Sequence, residues 1–145
     1  MKNFLMMSLL VLAVVCVAPS ARAQGTAKTG PDASTVRDPE MEKDSLKNLE
    51  AARLYFKLRK AYVASLARCE EIIAGNPTFS RIDEVLYIAG ASSLRLSQKL
   101  GKQVSKTPPD KLLEDAREYL SRLAKEFPES EFRAAADKEL RTIKQ

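Results

Sequence analysis

The sequence predicts an all-α fold, a short stack of helical hairpins closed by one further helix. Three observations predict it. Apolar residues recur at spacings of three and four from residue 44 almost to the C-terminus, the signature of helices with one buried face. No stretch alternates apolar and polar with period two, as a half-buried strand does. Gly75, Pro77, Gly101 and Pro128 fall at the breaks between periodic stretches.

Five helices follow. The first spans about 44–57, with Leu46, Leu49, Ala52 and Phe56 on one face and Asp44 or Ser45 as its cap. The second spans about 59–74, using Tyr62, Leu66, Cys69, Ile72 and Ile73, and ends at Gly75-Asn76-Pro77. Glycine there admits left-handed backbone, and proline cannot continue a helix. The third runs from residue 80 or 81 to Leu100 through Ile82, Val85, Leu86, Ala89 and Leu96, and Gly101 stops it. Residues 102–109 are polar, end in Thr-Pro-Pro and read as a loop. The fourth spans about 110–127, where Leu113, Ala116, Leu120, Leu123 and Phe127 make the cleanest apolar stripe. The fifth spans about 130–144, with Phe132, Ala136, Leu140 and Ile143 inward and Ser130 as its cap.

The chain before the helices has a different character. Lys2, the apolar run from Phe4 to Val17 and the small-x-small triplet Ala21-Arg22-Ala23 have the layout of a secretory signal peptide. The run is shorter than the ~20 residues that span a bilayer. Val15, where a lipoprotein signal wants a small residue, precedes Cys16. The reading is therefore a signal peptide over 1–23, cleaved after Ala23, and export to the periplasm with possible outer-membrane association. Removing 23 of 145 residues leaves 122, and the charge falls from +5 to +3 as Lys2 and Arg22 leave. Residues 24–43 contain little besides Val36 and Met41 to bury, and read as a disordered tether ahead of a helical domain over 44–145.

An internal repeat orders the helices. Aligning Pro77 with Pro128 sets Ser65 on Ala116, Cys69 on Leu120 and Ile72 on Leu123. A small residue, larger apolar residues four and seven positions later and then proline form the second-helix pattern of a tetratricopeptide repeat. Leu46, Leu49, Ala52 and Phe56 take the first-helix positions of one unit, and Leu86, Ala89, Gly90 and Ser93 those of the next. Ala116 then comes 14 residues later than the repeat requires, an offset that falls in the 102–109 loop. The packing set is Ala52, Phe56, Cys69, Ile72, Pro77, Gly90, Ala116, Leu120, Leu123 and Pro128. The small members let antiparallel helices approach closely and the large ones fill the space around them. The fold is thus a TPR-like stack of about two helix pairs plus a C-terminal capping helix.

These residues resemble a known group. Ala61-Tyr62, Ala67-Arg68-Cys69-Glu70-Glu71-Ile72-Ile73 before Asn76-Pro77, and Glu84-Val85-Leu86-Tyr87 with Gly90 carry the resemblance in one unit. Ala116, Tyr119-Leu120 and Glu126-Phe127-Pro128-Glu129-Ser130 carry it in the next. Over residues 46–143 the chain is similar to the periplasmic tetratricopeptide proteins of the BamD-like (YfiO-type) outer-membrane assembly family. The YbgF-like Tol-Pal-associated repeat proteins are a competing relative. Fewer repeats are present here than is usual in the BamD-like group. The resemblance implies a scaffold in outer-membrane protein assembly or envelope maintenance, or in the competing case a Tol-Pal or cell-division role.

The chemistry of the chain fits binding better than catalysis. It has no His, which removes Ser–His and Cys–His nucleophiles and the commonest metal ligand. Glu70-Glu71 are adjacent on a helix and point about 100° apart, so they do not converge as an acid–base pair. No metal or cofactor site is expected, and no nucleic-acid partner, since +3 on a mixed-sign surface is weak attraction. Cys69, the one Cys left after cleavage, reads as a buried small apolar residue, with a redox subunit as the alternative. Arg53, Lys57, Arg59, Lys60 and Arg68, interleaved with Tyr55, Phe56 and Tyr62, form a basic cluster that offers a second alternative, binding of anionic lipid or glycan. The expected function is a non-catalytic protein–protein interaction module. Its partner surface is expected on the first helices of the pairs, at Arg53, Lys57, Tyr87, Ser92 and Arg95.

Overall fold

A computed structural model describes residues 37–143; the expected signal peptide and most of the expected tether lie outside that range. The elements are α1 (Pro39–Arg53), continued by a π-helical segment (Leu54–Arg59), α2 (Tyr62–Gly75), α3 (Ile82–Ser97), α4 (Pro109–Glu126) and α5 (Arg133–Ile143). No strand occurs among the described residues. Each helix packs on the next in sequence, and α3 also touches α1 and α5. The odd helices therefore form one layer and the even helices the other, the arrangement of a TPR-like stack.

The first helix begins five residues before the expected Asp44. Pro39 suits a first helical turn, since its missing N–H would be unpaired there anyway. Asp38 supplies the cap, its carboxylate accepting from the N–H groups of Glu40 (2.9 Å) and Met41 (3.4 Å). Residues 39–43 are thus helix and not tether. Ser45, considered a cap from sequence, is buried inside α1, where Asn76 Nδ2 donates to its hydroxyl (3.2 Å).

The repeat is visible as two turns with the same backbone bonding. Asn76 and Phe127, 51 positions apart, follow α2 and α4 with similar dihedrals (φ −142°, ψ 74°; φ −128°, ψ 63°). In the first turn N–H groups donate from Asn76 to Ile72 O (2.8 Å), Phe79 to Asn76 O (3.1 Å) and Ile82 to Phe79 O (3.1 Å). Their counterparts donate from Phe127 to Leu123 O (2.9 Å), Ser130 to Phe127 O (3.1 Å) and Arg133 to Ser130 O (3.0 Å). Pro77 and Pro128 sit one residue into each turn, where an N–H is not needed. Gly75 is not left-handed, so the proline turn rather than glycine ends α2. The last helix begins at Arg133, later than expected, so Ser130 lies in the turn ahead of it, its hydroxyl accepting from Phe132 N–H (3.1 Å) and not from an N–H of α5.

The core centres on α3, in which twelve of sixteen residues are buried. Around it lie Leu49 and Ala52 of α1, Leu66, Cys69 and Ile72 of α2, Leu112, Ala116, Leu120 and Leu123 of α4, and Ala136 and Ile143 of α5. Phe56, Ile73, Phe132 and Leu140 pack on its edge. Three residues expected inside depart from that reading. Leu46 and Leu100 are exposed, and in α4 Leu112 takes the fully buried place while Leu113 is only partly covered. Phe79, not assigned to any helix face, is the largest fully buried side chain. A turn residue has no periodicity to reveal it.

At Gly90, α3 and α4 approach closely. A Cβ placed on Gly90 would lie 2.6 Å from Leu120 Cγ and 3.4 Å from Ala116 O. Leu120 has no exposed surface into which to move. Gly90→Ala should therefore cost about 1–2 kcal/mol, overpacking outweighing the ~1 kcal/mol that alanine gains in a helix. Gly75→Ala meets nothing within 4 Å and should stabilise by up to about 1 kcal/mol. Denaturant midpoints of the two variants, moving in opposite directions, check the assignment.

Candidate functional site

The odd-helix layer presents an open groove of about 460 Å³ lined by Arg53, Lys57, Arg81, Glu84, Glu131 and Phe132. Its floor is an ion cluster. Arg53 forks onto Glu84, Nε to Oε1 at 2.6 Å and Nη2 to Oε2 at 2.5 Å. Arg81 Nη2 reaches the same carboxylate at 2.6 Å. The Glu84 side chain is 5% exposed, so this charge relies on its two guanidinium partners. The hydrogen bonds that Arg53 donates to Glu84 hold its pKa above the ordinary value against the opposing effect of burial. Two guanidinium groups share one carboxylate there, and with Lys57 against Glu131 the groove keeps one positive charge in excess.

Beyond the groove, Tyr87 stacks on Phe132 with ring centroids 5.4 Å apart, joining α3 to the turn before α5. Arg95 forks onto Glu139 of α5 (2.8 and 3.3 Å). Burial, then Glu139, raises the Tyr87 phenol pKa, while Arg95 opposes that rise.

Of the five residues expected to meet a partner, Lys57 is exposed in the groove and Arg53 lies in its floor. Tyr87 and Arg95 are half-buried and engaged within the protein. Ser92 is a correction: it has no exposed surface, because α3 is covered on that side too, and its hydroxyl makes no hydrogen bond among the described residues. The groove instead recruits Arg81, Glu131 and Phe132 from the two turns. A helix-face argument does not reach turn positions. The 51-residue repeat carried the signal, since it equates Arg81 with Phe132 and places both at helix entrances.

Other candidate chemistry is sparse. No group of three or more His, Cys, Asp or Glu positioned for a metal occurs among the described residues. Glu70 and Glu71 do not act together: Glu71 pairs with Arg68 at 2.6 Å. Glu70 faces α4, where burial and the Asp115 carboxylate raise its pKa and a hydrogen bond with Tyr119 opposes them. Cys69 has no exposed surface, and burial first, then the Glu70 and Glu84 carboxylates, pushes its thiol far above the usual range.

The comparisons with known proteins agree with this architecture. The model of the YfiO family, described as outer membrane lipoproteins, matches residues 25–145. The chain belongs to this family. No curated protein and no solved structure matches it. The match takes in the whole described helical body of this YfiO-family chain, groove included. No described helix is long and apolar enough to cross a membrane.

Two outcomes test the site. Glu84→Gln leaves Arg53 and Arg81 crowded around a neutral group and should cost about 2–3 kcal/mol, below the range for fully buried pairs because both arginines are partly exposed. The thermal midpoint should fall by ~10 °C. The Cys69 thiol should resist maleimide at neutral pH in the native protein and react at once in denaturant; prompt native labelling would revive a redox role.

Proposed function

We propose that this chain is exported to the periplasm and acts there as a non-catalytic scaffold in outer-membrane protein assembly or envelope maintenance. The single observation that carries the reading is the YfiO-family match over residues 25–145. That match begins just past the proposed cleavage after Ala23, leaving the signal-like segment outside it. The groove supports a binding role: it offers guanidinium groups, Lys57 and the Phe132 ring, but no nucleophile and no unpaired buried acid or base. An extended peptide carrying carboxylates beside apolar residues suits such a surface, as helical repeats commonly bind peptides along one layer.

A photo-crosslinking residue placed at Lys57 or Glu131 in cells should give a discrete adduct with an outer-membrane assembly protein. The same probe at Glu118, exposed on α4 of the opposite layer, should give none. Adducts only from position 118, or none from the groove, would sink the scaffold reading. An adduct with a Tol-Pal component would transfer the protein to the competing role. Intact-mass measurement of the envelope-extracted chain should show Gln24 as its first residue.

A further inference from the structure

Two connections meet at one end of the stack. The π-helical segment and the turn into α2 cover residues 54–61, and the long α3–α4 connection covers 98–108. They are tied by backbone and side chain: Lys102 N–H donates to Lys60 O (3.1 Å), and Gln103 Oε1 accepts from Ala64 N–H (3.1 Å) in the first turn of α2. Gly101, at φ +99°, passes so close that a Cβ there would lie 2.6 Å from the Tyr62 ring. The inserted loop is thus held in place on the α1–α2 connection.

This end is charged with one sign. Arg59, Lys60, Lys99, Lys102 and Lys106 are all exposed, and none forms an ion pair among the described residues. Arg59 instead lies over the Tyr55 ring at 5.9 Å. No Asp or Glu occurs in 51–69 or 85–109. The nearest acid in sequence is Asp110, while Glu114 and Asp115 beyond it are occupied by Lys111. The same end carries unburied aliphatics: Leu58 is 76% exposed and Val104 96%, with Leu54 and Leu100 beside them in sequence.

We propose that this end docks on an anionic phospholipid bilayer, lysines over the headgroup phosphates and Leu58 and Val104 entering the interface. A protein interface is anchored by aromatic and arginine side chains in fitted pockets. Here four of the five cations are lysines, which suit a diffuse anionic surface better than bidentate pairing. The aliphatics stand out from the two connections, where a bilayer interface removes them from water without a shaped partner. The proposal goes beyond the scaffold reading and needs no protein partner.

Flotation of the envelope-purified chain with phosphatidylglycerol-containing vesicles and with pure phosphatidylcholine vesicles tests it. Binding should favour the anionic vesicles. Each lysine near such a surface contributes about fivefold, so Lys99→Glu/Lys102→Glu/Lys106→Glu should lower binding at least 100-fold. Leu58→Ser/Val104→Ser should lower it about tenfold on the same vesicles. Lys43→Glu/Lys47→Glu/Lys125→Glu, with the same change in net charge elsewhere, should lose far less. Circular dichroism verifies that each variant is folded. Equal binding to neutral vesicles, equal loss in both triple variants, or no loss in the loop variant would overturn the proposal. The last outcome would leave the patch to an acidic protein. Crosslinking at Lys57 and Glu131 reads the groove separately, so either proposal can fail without the other.

Discussion

The structure depends on how closely α4 lies against α3. At Gly90 there is no space for a methyl group, and Leu120 occupies the volume that one would need. The run Ala89-Gly90-Ala91-Ser92-Ser93 keeps α3 thin through its middle, which lets neighbours cover it on several sides. The buried Ser92 and Ser93 hydroxyls lack hydrogen-bond partners among the described residues. Such groups cost about 1–3 kcal/mol each. Small side chains are retained there despite that cost because a larger apolar residue would push the helices apart.

Because α3 is held from all sides, the groups it carries are held too. Glu84 at its start is fixed between Arg53 of α1 and Arg81 of the preceding turn. Tyr87 and Arg95 further along reach Phe132 and Glu139 across the junction with α5. One rigid helix thus bridges both neighbours in its layer through polar and aromatic contacts, while apolar packing holds the even layer. The groove is a consequence of this division: polar side chains on the odd layer are paired at its floor and leave Lys57 and Glu131 at its rim.

The departure from repeat spacing has a structural use. The extra residues between α3 and α4 cap α2 through Gln103 and bring Lys99, Lys102 and Lys106 beside the cations of the α1–α2 connection. Two surfaces of different chemistry result, a mixed-charge groove between helix entrances and a wholly basic end with exposed aliphatics.

By itself the sequence determined the helix count, the repeat and most of the apolar faces, since 3.6-residue periodicity and proline turns are local properties. It also marked Gly90, Ala116 and Leu120 as packing residues, because small and large positions recur with the repeat. Tertiary structure decided what periodicity does not encode. Phe79 fills the core from a turn, Leu112 displaces Leu113, and Leu46 and Leu100 stay outside because no neighbouring helix extends over them. The candidate groove was half legible: Arg53 and Lys57 lie on a predicted face and line it, but Ser92 is buried because helices cover α3 on a side its own pattern leaves polar. Arg81, Glu131 and Phe132 join the site only because two turns 51 residues apart come to the same layer. Local sequence sets which side of a helix prefers water; only the packed neighbours decide which of those sides water reaches.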